Sequence, residues 1–249
     1  ASEDVAALFS RSGGAVSVQV KRDGKYKTFS LTPVYSKADG CWKAGVWVRD
    51  STAGIGTVTY YDPQTGVMAA LGHPITDVDT GEIMPILRGE AVAAKVTKIY
   101  KSKAGSTGSI CCDFLQQPLG ALTENDNAGV FGRYSCSLKG MRTYPVATAQ
   151  QVENGDCQVL TTVDGDNTPR LYKAKIIHIS YRGGSGEKNM IVRITDPVLL
   201  AKTGGIVQGM NGRLVGALTH VIVDSPRRGY AIFAESMLAA SDAVAKDTR

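Results

Sequence analysis

The chain has 249 residues, 43% hydrophobic and 20% charged, which describes an ordinary globular protein with room for one large or two small domains. Its 28 Lys and Arg against 23 Asp and Glu give a net charge of +5 with no basic block, so nucleic acid is not expected as a partner. No apolar run reaches the roughly 18 residues of a membrane span, no signal peptide is recognisable, and the opening Ala1-Ser2-Glu3-Asp4 suggests a processed or trimmed chain.

Residues 3–12 carry Val5, Leu8 and Phe9 at helical spacing, and Gly13-Gly14 ends that helix. Ala15 to Val20 alternates as a strand, Asp23-Gly24 is a hairpin turn, and Lys27 to Val34 is a second strand. This order looks like the closing third of a PDZ domain, spanning residues 1–36. The earlier strands of a PDZ are absent, so a complete peptide-binding PDZ is not encoded here. From Cys41 onward short apolar or alternating runs follow one another, among them GIGTVTYYDP, GVMAALGHPI, EAVAAKVTKIY, SICCDFL, VFGRYSC, MRTYPVA, CQVLTTV, LYKAKIIHIS and NMIVRITD. Gly, Asp, Asn or Pro punctuates them, the rhythm of barrels or sandwiches rather than βαβ units. Residues 41–249 suit two β-barrels with a boundary near 140–150. One later helix is expected, Phe233 to Ala245.

Five cysteines (Cys41, Cys111, Cys112, Cys136, Cys157) include no CxxC pair. Buried free thiols are the expected state, with one or two disulfides at most in an oxidising compartment. Cys136, Cys157 and His178 lack the spacing of a zinc site, so no metal is expected. Gly183-Gly184-Ser185-Gly186-Glu187-Lys188 fits neither GxxxxGK[ST] nor GxGxxG and reads as a flexible loop.

Three histidines limit the acid–base candidates. His73, in Leu71-Gly72-His73-Pro74, sits where a rigid turn at a strand end would present its ring, a good place for a general base, although a lone histidine in a turn is more often structural. His178, in IIHIS, reads as structural. His220, in LVGALTHVIV, could line a substrate pocket or belong to the core. Asp196, before Pro197, is either a turn residue or a carboxylate that orients a histidine.

Four segments together resemble the SpoIVB family of serine peptidases. They are Ala44 to Pro63 (AGVWVRDSTAGIGTVTYYDP), Ala70 to Asp77 with Asp79-Thr80-Gly81, Thr195 to Met210 (TDPVLLAKTGGIVQGM), and Gly216 to Val221 with Arg228 to Phe233. The resemblance implies an all-β, chymotrypsin-like double β-barrel preceded by a partial PDZ domain and closed by a C-terminal helix. It also implies a cofactor-free His/Asp/Ser triad with His73 as general base and Asp196 as its orienting acid. Asp77 and Asp79, near His73 in sequence, are rival orienters. The nucleophile would belong to the turn beginning at Gly209-Met210, whose backbone would flank the oxyanion, and Thr219 and His220 would wall the primary pocket.

That turn departs from the family. Met210 is followed directly by Asn211-Gly212-Arg213, a hairpin turn that in the family comes several residues later, after the serine and a short strand. The shortfall has three readings: a loop omitted from the sequence at hand, an engineered deletion, or a natural pseudo-peptidase that binds without cutting. On the family resemblance the expected function is a serine endopeptidase of sporulation signalling. Its partner is a protein or peptide substrate, with self-cleavage as a further activity. Its expected place is outside the cytoplasm, between forespore and mother cell or secreted, with the membrane engaged only through an upstream anchor.

Overall fold

The computed structural model describes residues 2–22, 24–46, 48, 52–181, 188–203 and 213–246. The chain divides into two compact units, 1–54 and 55–249.

In the first unit, helix α1 (Ser2–Arg11) is followed by an antiparallel hairpin of β1 (Val16–Arg22) and β2 (Lys25–Leu31), in register from Val16 opposite Leu31 to Arg22 opposite Lys25. Gly24, at φ +72°, takes the left-handed backbone that a tight turn requires. Two short strands, β3 (Val34–Ser36) and β4 (Cys41–Lys43), pair next, and Tyr35 meets Trp42 edge to face at 5.4 Å. Phe9 of α1 is buried, as its helical spacing with Val5 predicts.

The second unit is the chymotrypsin-like part, two curled half-barrel sheets of five antiparallel strands each. The first sheet contains β5 (Val58–Tyr61), β6 (Val67–Ala70), β7 (Gly89–Tyr100), β8 (Ser109–Asp126) and β9 (Gly129–Tyr134), in spatial order β5-β6-β9-β8-β7. The second contains β10 (Gly155–Thr161), β11 (Arg170–Ile179), β12 (Met190–Ile194), β13 (Gly216–Val221) and β14 (Arg228–Phe233), in order β10-β11-β12-β14-β13. Tyr172, Ala174 and Ile176 of β11 alternate inward, as do Met190, Val192 and Ile194 of β12, so period-2 patterning fills the second core. A smaller cluster joins the sheets. Ala69, Ala128 and Phe131 of the first meet Ala217 and Ile232 of the second, and Met237 of the last helix, α3 (Ala234–Lys246), completes it.

Three elements differ from expectation. Strand β8 runs to Asp126, well past the apolar run SICCDFL, because Pro118 sits at an irregularity in the β7–β8 register instead of ending the strand. The stretch MRTYPVA forms no strand; only Val146 makes an isolated parallel bridge, to Leu214. A short helix, α2 (Pro197–Thr203), was not foreseen, since seven residues are too few to show a helical period. Its start is nonetheless written in the sequence as Asp196-Pro197, a capping residue followed by a proline at the first helical position. The Gly-rich loop around 183–186 lies outside the described residues.

Candidate active site

The site is built where the first sheet's strand β6 ends against the second sheet's strand β13. Leu71 N–H donates to the Thr57 carbonyl, and Gly72 N–H donates back to the Ala70 carbonyl at 2.9 Å. That bond closes a three-residue turn around Leu71, which stands at φ +70°, a conformation that a branched side chain adopts only under constraint. The constraint is visible at the next residue. Gly72 is at φ +75°, and a Cβ there would lie 2.8 Å from Ile232 Cγ2, 3.0 Å from Ala217 Cβ and 3.2 Å from Thr219 Cγ2. Only glycine lets the turn press this closely on the second sheet. From the other side Gly129, the first residue of β9, leaves no room for a side chain either, since its Cβ would come within 2.6 Å of the Ala70 carbonyl.

This turn delivers His73, half-buried, to β13. Its ring lies 5.1 Å from that of His220, tilted by 50°. The β13–β14 register shifts between Leu218 and His220, a bulge of the kind that re-aims side chains beside functional sites. Next to it, Thr219 is buried and donates its hydroxyl to the Tyr230 carbonyl at 3.3 Å. The structure therefore gathers His73, Thr219 and His220 at one place. His178 stands apart as an exposed residue of β11.

Among the described residues Asp196 makes no hydrogen bond to His73. One carboxylate oxygen accepts the backbone N–H groups of Val198 and Leu199 at 2.9 and 3.2 Å, and the other accepts that of Lys173 at 3.1 Å. It serves as the N-cap of α2. Burial pulls its pKa upward, but the Lys173, Leu199 and Val198 donors outweigh that and hold it below the usual carboxylate value. The far end of α2 is tied down by Lys202, whose ammonium meets both oxygens of Asp164 at 2.6 and 2.8 Å. Asp77 turns its carboxylate onto the backbone of its own loop, accepting from Asp79 N–H at 2.9 Å and Thr80 N–H at 3.0 Å. Among the described residues no carboxylate bonds the His73 ring. Gly209 and Met210, expected to flank the nucleophile, lie outside the described residues.

One residue at the site carried no signal in the sequence. Asn125, near the end of β8, is 9% exposed and makes three hydrogen bonds to the chain that follows His73. A lone asparagine at a strand end looks like any turn residue, and its partner lies 50 positions away. Among the described residues no group of three or more His, Cys, Asp or Glu side chains is gathered to hold a metal ion. All five cysteines are free, each partly exposed, and burial pushes the Cys157 thiol up to about 11.

No curated protein and no solved structure matches the chain. A family model does: the one described as SpoIVB peptidase S55 matches residues 40–238, across both sheets, the His73 turn and strand β13. On that match, and with a fold of two curled β-sheets that meet at a histidine, the chain belongs to the SpoIVB family of serine peptidases.

Proposed function

We propose that the protein is a serine endopeptidase acting on a protein substrate, with His73 as general base and its nucleophilic serine in a loop that belongs after Gly209-Met210 and is omitted from the sequence at hand. The observation that carries this reading is the delivery of His73, by a constrained turn of one sheet, against β13 of the other. A base in that place takes the proton of an attacking hydroxyl and returns it to the leaving amine. Thr219 and His220 wall the pocket beside it. The family supports a role in endospore formation outside the cytoplasm, with a membrane-associated regulator as substrate and cleavage of the enzyme itself as a second reaction. It also supports reading residues 1–36 as the end of a PDZ domain.

A second reading rests on the sequence: between Thr203 and Val223 there is no serine. On that reading the protein is a binding or regulatory module on a peptidase frame. One experiment separates the two. The purified protein is incubated with an unfolded protein substrate and, separately, with a fluorophosphonate that labels activated serines. Cleavage and labelling that both vanish in His73→Ala support the enzyme. Substrate binding without either supports the module. Cleavage that survives His73→Ala sinks the assignment of His73.

A further inference from the structure

We infer that the outward face of the second sheet, at Arg193 and Arg228, is a docking surface for an acidic segment of a partner protein. On the peptidase reading, on which this last step rests, that partner is the substrate. Strand β12 turns Met190, Val192 and Ile194 into the core, so Ile191 and Arg193 face outward. On β14 Ala231 and Phe233 point inward, which turns Arg228 and Tyr230 outward. On β11 Ala174 and Ile176 point inward and Lys175 outward. The register sets these side chains next to one another, Lys175 opposite Arg193 and Arg193 opposite Arg228. Three cations therefore stand in one row across three neighbouring strands.

Such a row works against folding, because like charges on directly opposed residues destabilise a sheet. Lys175 is offset by its cross-strand neighbour on β10, Asp156, at 3.4 Å. Arg193 and Arg228 form no ion pair among the described residues. The next outward row holds Ile191, Tyr230 and His220, across β12, β14 and β13. It ends at the ring that lies beside His73. Two residues of strand separate the rows, about 7 Å, so one extended peptide can touch both.

The basic surface continues past the row. Arg227, exposed, precedes Arg228 in the turn between β13 and β14. The tip of the β7–β8 hairpin is bonded to the start of that turn, Gly105 N–H donating to the Val223 carbonyl at 3.1 Å, and it brings the exposed Lys101 and Lys103. Asp224 is the acid within the turn. A guanidinium matches a carboxylate with two parallel hydrogen bonds, and two guanidiniums without an acid between them leave that capacity for a partner. The patch is compact and the whole chain carries only +5. That suits a short run of Asp or Glu better than the long phosphate array of a duplex or an anionic bilayer.

Binding is read without turnover, by fluorescence anisotropy of a labelled Gly–Glu repeat peptide against the matching Gly–Gln peptide. The native full chain is expected to bind the glutamate peptide more tightly, by a margin that shrinks as salt rises. Arg193→Gln and Arg228→Gln are each expected to weaken that binding about fivefold, the scale of a charge pair at a surface. Arg193→Lys should recover part of the loss, since it keeps the charge without the fork. Lys25→Gln, on the exposed strand β2 of the first unit, removes the same charge elsewhere and should change nothing. In equilibrium denaturation the two arginine variants should be no less stable than the native protein, because each relieves the opposed pair. A loss of stability marks the arginines as structural and overturns the inference. So does equal binding of the two peptides, or equal binding in all three glutamine variants. Arginine-dependent binding of phosphatidylglycerol vesicles or of a DNA duplex in place of the glutamate peptide overturns it as well. The peptidase reading stands or falls separately, on the His73→Ala comparison.

Discussion

The most demanding contact in the site is at Gly72, and its cost can be worked out in parts. Gly72→Ala forces alanine to φ +75° and places its methyl 2.8 Å from Ile232 Cγ2 and 3.0 Å from Ala217 Cβ. Left-handed backbone costs a non-glycine residue about 1–2 kcal/mol, and forcing a methyl into a filled core costs about 1–3 kcal/mol. The sum is about 2–5 kcal/mol, less a few tenths returned because alanine restricts the unfolded chain. Gly81 supplies an internal control. It stands at nearly the same φ, +72°, but a Cβ there would meet nothing within 4 Å. Gly81→Ala therefore carries the backbone cost without the packing cost. Equilibrium denaturation of both variants isolates the difference, which should be at least about 1 kcal/mol in favour of Gly81→Ala. If the two variants lose the same stability, the close apposition of the His73 turn and the second sheet is refuted.

Other expectations follow from single features. Asp196→Ala should cost about 1 kcal/mol at neutral pH through loss of the α2 cap. The folded-state pKa of Asp196 is depressed, so its contribution is present above the unfolded value near 3.9 and is lost as pH falls through the folded one. The gap between wild type and Asp196→Ala, followed by denaturation at stepped pH, should therefore close in acid and stay constant from pH 5 to 8 (roughly). Phe131→Ala, at a fully buried position in the cluster shared by both sheets, should cost about 3–5 kcal/mol by the same measurement. Cys157, with its thiol pushed up to about 11, should alkylate at pH 8 about a hundredfold more slowly than an unperturbed thiol, as read by mass spectrometry of timed iodoacetamide quenches.

The sequence made the β-rich architecture and the histidine legible for a physical reason. Strands β11 and β12 must bury one face, so alternation at Tyr172, Ala174 and Ile176 is forced on them. Gly72-His73-Pro74 is similarly exposed in the sequence, because a left-handed turn and a fixed proline need those residue types. Asp196 illustrates the opposite case. An aspartate before a proline can cap a helix or orient a histidine, and only the location of its hydrogen-bond partners separates the two uses. Asn125 was invisible because its meaning lies in contacts to residues 75 and 84, and nothing in its immediate neighbourhood hints at them. Helix α2 was too short to announce itself, and Pro118 hid the second half of β8 by resembling a strand end.

The cluster between the sheets has a temporal side. Ala69, Ala128 and Phe131 are synthesised early, Ala217 and Ile232 late, and Met237 of α3 last of all, yet these side chains share one apolar cluster. The cluster cannot close before α3 has been made and has left the ribosome's exit tunnel, since its final member belongs to that helix. The seam between the two sheets is therefore among the last parts of this unit to be sealed.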